Sequence, residues 1–316
     1  MIIKNMVYCM MRRALIGLLL AALLICCSGV SAEKVKDLTD TTHAGDRLLI
    51  GTTTSLDATG ALDELSKKFA DENNISVEWV AVGTGQAIKY GENGDVDLIM
   101  VHDRVAEDKF LDAGYGLDRR VFASNYFLVA GPESDPAKIA GLTATEAFKA
   151  IEMAGTTDAK VVFVSRGDSS GTHSREKLLW KAAGYDYTEV NKSPWYIDAA
   201  AGMGQTLNMA NEMDAYTLAD SATWNTMESN LSIKPYITDG KDLLNIYAVI
   251  RVNPDKFPNV GINVDAGKKW TNFLISDETQ KFFADFQKDG KPLFVPAKGD
   301  AVTLNVTEEE ISSPVE

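Results

Sequence analysis

From residue 48 onward, short apolar segments alternate with stretches in which apolar residues recur at helical spacing. The segment 48–50 is apolar, and the apolar residues within 61–69 that follow it share one helical face. Further apolar segments lie at 75–82, 97–101, 126–130, 161–164 and 245–252. This alternation is typical of strands followed by helices, and it predicts an α/β fold with largely parallel sheets.

Three of the predicted strand-to-helix turns are rich in glycine, serine and threonine. They are GTTTS at 51–55, GTGQ at 83–86 and SRGDSSGT at 165–172. Ligands of open α/β sheets bind beyond the carboxyl ends of strands, where helix N-termini present unpaired N–H groups. Each turn alone is also consistent with ordinary helix capping. The three turns combined predict a cage of hydrogen-bond donors for an oxyanion, with Arg166 adding positive charge.

A catalytic interpretation of the third turn is weaker. Ser170, His173 and Asp168 have the residue types of a serine hydrolase, but no Gly-x-Ser-x-Gly elbow surrounds them. The three histidines are widely separated and have no metal-ligand spacing. His102 and the aspartate after it form either a pair of residues facing the ligand or a strand-end turn, and we favour the strand-end turn. The sequence therefore favours binding over enzymatic activity, with no catalytic residue, no metal and no cofactor.

The net charge restricts the partners. The chain has 45 acidic and 31 basic residues and a formal charge of −14. A nucleic-acid binder needs a basic face, so we expect no nucleic-acid partner. A small anion is not excluded, because a local pocket can oppose the overall charge.

Residues 1–32 have the features of a secretory signal peptide. Two arginines precede an apolar run of 14 residues that ends at Cys27 and is too short to span a bilayer core of ~30 Å. Cleavage after Ala32 would remove all 3 cysteines of the chain. An uncleaved anchor and a lipid on Cys26 or Cys27 are the alternatives. We expect a protein that is secreted, periplasmic or on the outer face of the cytoplasmic membrane, either free or anchored there.

Several motifs resemble those of the tungstate-binding proteins that serve ABC importers, a family with the type II periplasmic-binding-protein fold. The resemblance covers residues 48–296. It is carried by the motifs TTTS at 52–55, SRGD at 165–168, SGTH at 170–173, GMGQTL at 202–207, AYTL at 215–218 and RR at 119–120. In the segment after the two arginines, Tyr126 replaces an aspartate that is common in the family.

The resemblance implies a two-lobed clamp, in which a Venus-flytrap motion about hinge strands closes the lobes. The first lobe would hold residues 46–124 and return at 223–300, and the second would hold 125–222. Residues 301–316 form an acidic tail, which we expect to be disordered. The expected ligand-binding residues come from both lobes: Thr53, Thr54, Ser55, Thr84, Arg120, Ser165, Arg166, Ser169, Ser170, Gly171 and Thr172.

The resemblance further implies that the ligand is tungstate, with molybdate as a second ligand. Tungstate is a dianion without a proton, so it needs only donors. Phosphate is the main alternative, because RxDxSGT is also similar to phosphate-binding proteins of ABC importers and Asp103 or Asp168 could accept a phosphate proton. The expected protein partners are a membrane permease and its ATPase, and we expect the chain to be a monomer. A serine hydrolase using Ser170 and His173 remains a further alternative.

Overall fold

The computed structural model describes residues 47–158 and 160–316. The predicted signal peptide at 1–32 lies outside the described residues. Within these described ranges, no helix combines the length and the apolar character needed to cross a membrane.

The described chain alternates strands and helices, as the apolar pattern predicts. The strands are β1 (Arg47–Thr53), β2 (Ser76–Val82), β3 (Leu98–Val101), β4 (Gly116–Gly131), β5 (Phe163–Ser165), β6 (Tyr196–Asp198), β7 (Tyr216–Asp220), β8 (Lys234–Ile237), β9 (Leu244–Val252), β10 (Gln287–Lys288), β11 (Lys291–Pro292) and β12 (Val295–Pro296). The helices are α1 (Thr54–Asp57), α2 (Ala61–Asn73), α3 (Thr84–Asn93), α4 (Arg104–Asp112), α5 (Ala144–Gly155), α6 (Gly171–Ala182), α7 (Tyr187–Val190), α8 (Met203–Glu212), α9 (Ser221–Met227), α10 (Val264–Ile275), α11 (Asp277–Asp285), α12 (Ala301–Leu304) and α13 (Glu308–Ser312).

The sheet is parallel at its two flanks and antiparallel at its centre. Its strand order is β2-β1-β3-β9-β4-β7-β5-β6, with β8 and β12 pairing with β4. β1 is parallel to β2 and β3, and β5 is parallel to β6 and β7. β9 is antiparallel to β3 and β4, and β4 is antiparallel to β7. The predicted α/β class is confirmed, whereas largely parallel pairing holds only at the flanks.

Strand β4 joins the two halves of the sheet. It is 16 residues long. Its residues 116–126 pair with β9, and its residues 127–131 pair with β7 and β8. Where the pairing changes, the buried Asn245 donates from Nδ2 to Oδ1 of Asn125 at 2.8 Å. The two long central strands are therefore linked by side chains at the point where the halves meet.

Each half of the sheet has its own apolar core. In the first, Phe69 of α2 and Trp270 of α10 make an edge contact with ring centroids 5.0 Å apart. In the second, Phe148 of α5 and Trp180 of α6 do the same at 4.5 Å. Burial of such large rings is a main source of stability, so each half is held together mostly by its own side chains.

The structure differs from the expected boundary at residue 223. Trp224 and Ile233 pack with Leu128 and other residues of the second half. Leu243 also belongs to the second half, since it packs in the core that contains Phe127. The chain returns to the first half with β9, at residue 244. Sequence reasoning missed this because residues 223–243 carry no long apolar segment.

The expected disorder of residues 301–316 is wrong. Ile311 is fully buried beside Val121 and Leu244. Asn272 and Val315 exchange two hydrogen bonds of 2.7 and 3.1 Å. Thr307 begins α13 with a capping box, which satisfies the first N–H groups of this short helix. The acidic composition suggested disorder, but a few apolar residues of the segment are buried and pack it against the first half.

Candidate anion-binding site

The second and third predicted turns meet across the junction of the two halves. A methyl group added at Gly83 would lie 3.8 Å from the backbone oxygen of Asp168, and one added at Gly85 would lie 3.9 Å from that of Ser169. Gly83 and Gly85 flank the start of α3, and the 165–172 turn precedes α6. The N-terminal ends of these two helices therefore face the same space, as the sequence predicts.

The first turn joins this group through His102. The Oγ of Ser55 lies 3.2 Å from Nε2 of His102 and 3.2 Å from Oγ1 of Thr53. His102 in turn packs on the start of α6, because a methyl group added at Gly171 would lie only 2.5 Å from its Cε1. Only glycine fits at position 171 without displacing the ring.

His102 has a larger role than the strand-end turn that we inferred from the sequence. The side chain is buried between the two halves, and burial lowers the pKa of the imidazole to about 4. Arg166 and Arg175 act in the same direction. His102 is therefore neutral near pH 7 and contributes packing and hydrogen bonding, but no charge. Its position directly after a buried apolar strand was the available signal.

Two hydroxyl groups at these helix starts have no hydrogen-bond partner within the described residues. They are Oγ1 of Thr84, at the start of α3, and Oγ1 of Thr172, in the first turn of α6, and both are buried. Gly83 supplies no side-chain cap to α3, so the first N–H groups of this helix are also left for other acceptors. An oxyanion satisfies such donors well, because charged acceptors form the stronger hydrogen bonds.

A further helix start lies beside the third turn. Ala199 N–H donates to the backbone oxygen of Ser165 at 2.9 Å, and Ala201 N–H donates to the backbone oxygen of Arg166 at 3.2 Å. These bonds place the loop before α8 alongside the 165–172 turn. Gly202 caps α8 without a side-chain hydrogen bond, so this helix start also offers free N–H groups. It corresponds to the GMGQTL motif.

Arg166 supplies buried positive charge next to these donors. Its guanidinium is paired with the carboxylate of Asp168 and is 4% exposed. It also lies near the buried Asp220. Burial raises the pKa of the Asp220 carboxyl, whereas the N–H and hydroxyl of Thr223 and the charge of Arg166 act in the opposite direction. Arg166 is thus held in place by the carboxylate of Asp168, which fixes its position before any ligand arrives.

Some predicted ligand residues use their hydroxyls within the protein. Ser165 donates to the carboxylate of Glu176 at 2.5 Å. Thr53 and Ser170 accept hydrogen bonds from helix N–H groups at Leu56 and His173. In this structure Ser165 has its proton engaged, whereas Thr53 and Ser170 accept from the backbone and keep their protons. Thr84 and Thr172 have no partner within the described residues.

Arg119 and Arg120 are not part of this group of turns. Nε of Arg120 donates to the backbone oxygen of Ser313 at 2.6 Å, and Arg119 pairs with Glu310 at 2.8 Å. Both arginines therefore bind the C-terminal segment, whose order the sequence analysis did not foresee.

Replacing Arg120 with alanine should lower stability and leave oxyanion affinity unchanged. The substitution removes the charged donor to Ser313, which costs about 1–3 kcal/mol of unfolding free energy. Thermal unfolding and calorimetric titration of Arg120→Ala measure the two effects separately. A hundredfold loss of affinity with unchanged stability would instead assign Arg120 to the ligand.

The hydrolase alternative fails on geometry. Nδ1 of His173 accepts from Ser169 N–H at 3.0 Å, and Nε2 lies 2.7 Å from the hydroxyl of Tyr187. Both ring nitrogens are engaged, so the ring is not available as a base for Ser170. The Oγ of Ser170 instead accepts from the backbone N–H of His173.

Comparison with known proteins agrees with this geometry. Residues 39–278 match the PBP superfamily domain. A tungstate-binding protein, TupA, from Peptoclostridium acidaminophilum is 38% identical over 260 residues, which cover 81% of this chain and 87% of that protein. The chain therefore belongs to the PBP superfamily and, within it, to the family that this tungstate-binding protein represents.

Two solved structures support the same assignment. The tungstate-binding protein TupA from Desulfovibrio alaskensis G20 is 41% identical, with a TM-score of 0.68 over 80% of this chain and 99% of that one. The tungstate ABC transporter structure from Geobacter sulfurreducens is also 41% identical, with a TM-score of 0.66 over 76% and 99%.

Proposed function

We propose that this chain is the solute-binding protein of an ABC importer and that it captures tungstate at the junction of its two halves. The observation that carries the proposal is the meeting of two helix starts whose buried Thr84 and Thr172 hydroxyls have no partner in the described chain. Arg166 belongs to the turn that leads into Thr172, and its buried guanidinium is oriented by the pair with Asp168. The names of the related proteins support tungstate as the ion.

The carboxylate at the site favours an ion without a proton. Asp168 accepts from Ser170 N–H through Oδ1 and from Arg166 through Oδ2. Asp103, the other acceptor considered for phosphate, caps α4 by accepting from Ala106 N–H. Both oxygens of Asp168 are engaged in these bonds, so this carboxylate is poorly placed to receive a phosphate proton. Molybdate has the same charge and shape as tungstate, and we expect it to bind as well.

We further propose that the two cores are the lobes of a clamp. The first lobe comprises residues 47–124 and 244–316, the second residues 125–158 and 160–243, and β4 and β9 form the hinge. Support comes from the separate cores and from Asn125 and Asn245 at the crossing. Binding closes the clamp because donors from both lobes share one ion.

The proposed partners and location follow from the ABC importer role. The closed, monomeric form would dock on a membrane permease whose ATPase supplies the energy for import. The protein would act in the periplasm or on the outer face of the cytoplasmic membrane. Its ligand is the tungstate oxyanion, bound through its oxygens without a cofactor.

Removal of the two free hydroxyls should weaken binding without destabilising the protein. Thr84→Val and Thr172→Val should each lower tungstate affinity about tenfold or more, since a hydrogen bond to a charged group contributes about 1.5–3 kcal/mol. Because neither hydroxyl has a partner within the described chain, unfolding temperatures should stay equal or rise.

Calorimetric titration with tungstate, molybdate, sulfate and phosphate tests both the hydroxyls and the proposed function. Thr84→Ser and Thr172→Ser, which keep the donors, are the matched controls and should bind nearly as the wild type does. Tight tungstate binding by the wild type is expected. Tighter binding of phosphate than of tungstate would contradict the proposal, as would unchanged affinity in both valine variants.

A further inference from the structure

The backbone of the 165–172 turn has a shape that other contacts must maintain. Gly167 and Ser169 both have left-handed conformations, with φ of 62° and 58°. Glycine adopts this region freely, but a serine does so only at a cost. A methyl group added at Gly167 would also lie 2.7 Å from Oδ1 of Asp198. The donors of this turn are therefore presented by a strained loop.

Two backbone N–H groups inside the turn are held by side chains. Ser169 N–H donates to Nδ1 of His173 at 3.0 Å, and Gly167 N–H donates to Oγ of Ser165 at 3.2 Å. These are the two left-handed residues. Their N–H groups thus fix the curvature of the loop, while the start of α6 remains available to an anion.

The side chains that accept from these two N–H groups, His173 and Ser165, are each connected by further hydrogen bonds to the carboxylate of Glu176. On one side, Nε2 of His173 lies 2.7 Å from the Tyr187 hydroxyl, which lies 3.3 Å from that of Tyr196. Tyr196 donates to Oε1 of Glu176 at 2.6 Å. On the other side, Ser165 donates to Oε2 at 2.5 Å. We call these five side chains the turn circuit.

The direction of most hydrogen bonds in the turn circuit follows from the chemistry of the groups at its two ends. Nδ1 of His173 accepts from a backbone N–H, so in the neutral ring Nε2 carries the proton and donates to Tyr187. The Tyr196 hydroxyl donates to Glu176 at 2.6 Å and, at the longer distance of 3.3 Å, to the oxygen of Tyr187. Ser165 and Tyr196 thus donate toward Glu176, which as a carboxylate only accepts.

Glu176 is fully enclosed and receives one more donor. Nε1 of Trp180 donates to its Oε1 at 3.0 Å. Burial raises the pKa of Glu176 to about 7, and the neighbouring charge of Asp198 acts in the same direction. The hydrogen bonds from Ser165, Tyr196 and Trp180 oppose this shift.

We propose that Glu176 is a positioning residue for the anion: through the turn circuit it holds the strained 165–172 loop in its binding shape without touching the ligand. This inference rests on the proposed function. For the removal of Glu176, it predicts a change in tungstate affinity that is opposite in sign to the change expected from charge repulsion alone. A buried negative charge near the site repels a dianion, so its removal alone would tighten binding, whereas loss of its positioning role weakens binding.

The test is the tungstate affinity of Glu176→Gln, measured by calorimetric titration at pH 8.5. We expect about tenfold weaker binding, because the glutamine amide cannot accept from every donor that Glu176 serves. Glu107→Gln is the matched control. Glu107 is also a buried carboxyl, whose pKa burial raises to about 8, but it faces Arg119 rather than the turn. Its replacement should leave the affinity unchanged.

The pH profile distinguishes positioning from a general loss of stability. Below about pH 7 the wild-type Glu176 is itself protonated, so the difference in affinity between wild type and Glu176→Gln should shrink from pH 8.5 to pH 6. Burial and Lys177 lower the pKa of His173, which keeps the other end of the circuit neutral over most of this range. Asp168, Asp198 and Arg166 are the other charged groups facing His173.

Tyr187→Phe provides a second reading if Glu176→Gln folds poorly. It removes only the hydroxyl between His173 and Tyr196, and should weaken tungstate binding about threefold to tenfold. Combined with Glu176→Gln, its effect should be less than additive, since both act through one circuit.

The outcomes separate this inference from the proposed function. If the wild type binds tungstate and both Glu176→Gln and Tyr187→Phe bind it equally well or more tightly, the positioning role alone is overturned. A ratio of wild-type to Glu176→Gln affinity that does not change with pH would overturn it as well. Absence of tungstate binding by the wild type would overturn the proposed function, and the positioning role with it.

Discussion

Replacing Arg166 with alanine should weaken tungstate binding by roughly two to three orders of magnitude, since loss of one partner from a buried charge pair costs about 3–5 kcal/mol. The guanidinium is almost fully buried, and it belongs to the 165–172 turn, where it pairs with Asp168. Without it, Asp168 and Asp220 would lie close to the incoming dianion with less compensation. Calorimetric titration of Arg166→Ala measures the effect.

Arg166→Lys and Arg120→Ala are the controls for this result. Lysine keeps a positive charge but cannot reproduce the planar contact with Asp168, so we expect an intermediate loss of affinity. Arg120→Ala removes an equally buried arginine that binds Ser313 instead. Wild-type affinity in Arg166→Ala, with the fold intact, would mean that the anion is bound elsewhere.

Replacing Gly171 with alanine should weaken binding by about ten- to a hundredfold, because overpacking of a close contact costs about 1–3 kcal/mol. The added methyl group would lie 2.5 Å from Cε1 and 2.7 Å from Nδ1 of His102. The His102 ring is buried and has little room to move. His102 and Gly171 belong to different halves, so the added methyl group destabilises the closed form, in which the two halves meet. We therefore expect a lower affinity, while the free energy of unfolding of each half stays unchanged.

Two further variants show whether the cause is this contact. In the double variant Gly171→Ala/His102→Ala the methyl group has space, and part of the affinity should return relative to Gly171→Ala alone. Gly267→Ala in α10 is the matched control, because its added methyl group would meet Arg251 at an ordinary 3.5 Å. Equal affinity of Gly171→Ala and the wild type would show that this contact is not needed for binding.

The fold class and the candidate turns could be predicted from the sequence because both depend on local patterns. Strand-to-helix alternation predicts an α/β sheet, and glycine, serine and threonine mark the strand-to-helix turns where ligands of such sheets bind. The glycines of the 83–86 turn and the hydroxyl-rich 165–172 turn do meet in the structure. Local patterns identify these turns but not their meeting, because β2 and β5 run in opposite directions and are connected through the antiparallel strands at the centre of the sheet.

The parts that failed depend on long-range contacts. Arg120 is in the right chain region but points to Ser313, and the acidic composition of the tail gave no sign of that contact. The free hydroxyls of Thr84 and Thr172 could not be distinguished from the committed hydroxyl of Ser165, because the partner of Ser165 lies on the next helix at Glu176. His102 was underrated for the same reason, since its neighbours Gly171 and Tyr247 are distant from it along the chain.

A crystal structure of the protein with tungstate, phased on tungsten, tests the central claim most directly. Tungsten scatters anomalously at its L edges, so the ion can be located without reference to the protein density. The account predicts a single strong anomalous peak between the starts of α3 and α6, within hydrogen-bonding reach of the Thr84 and Thr172 hydroxyls and of Arg166. A peak bound by residues of one half only, or one next to Arg119 and Arg120, would contradict it.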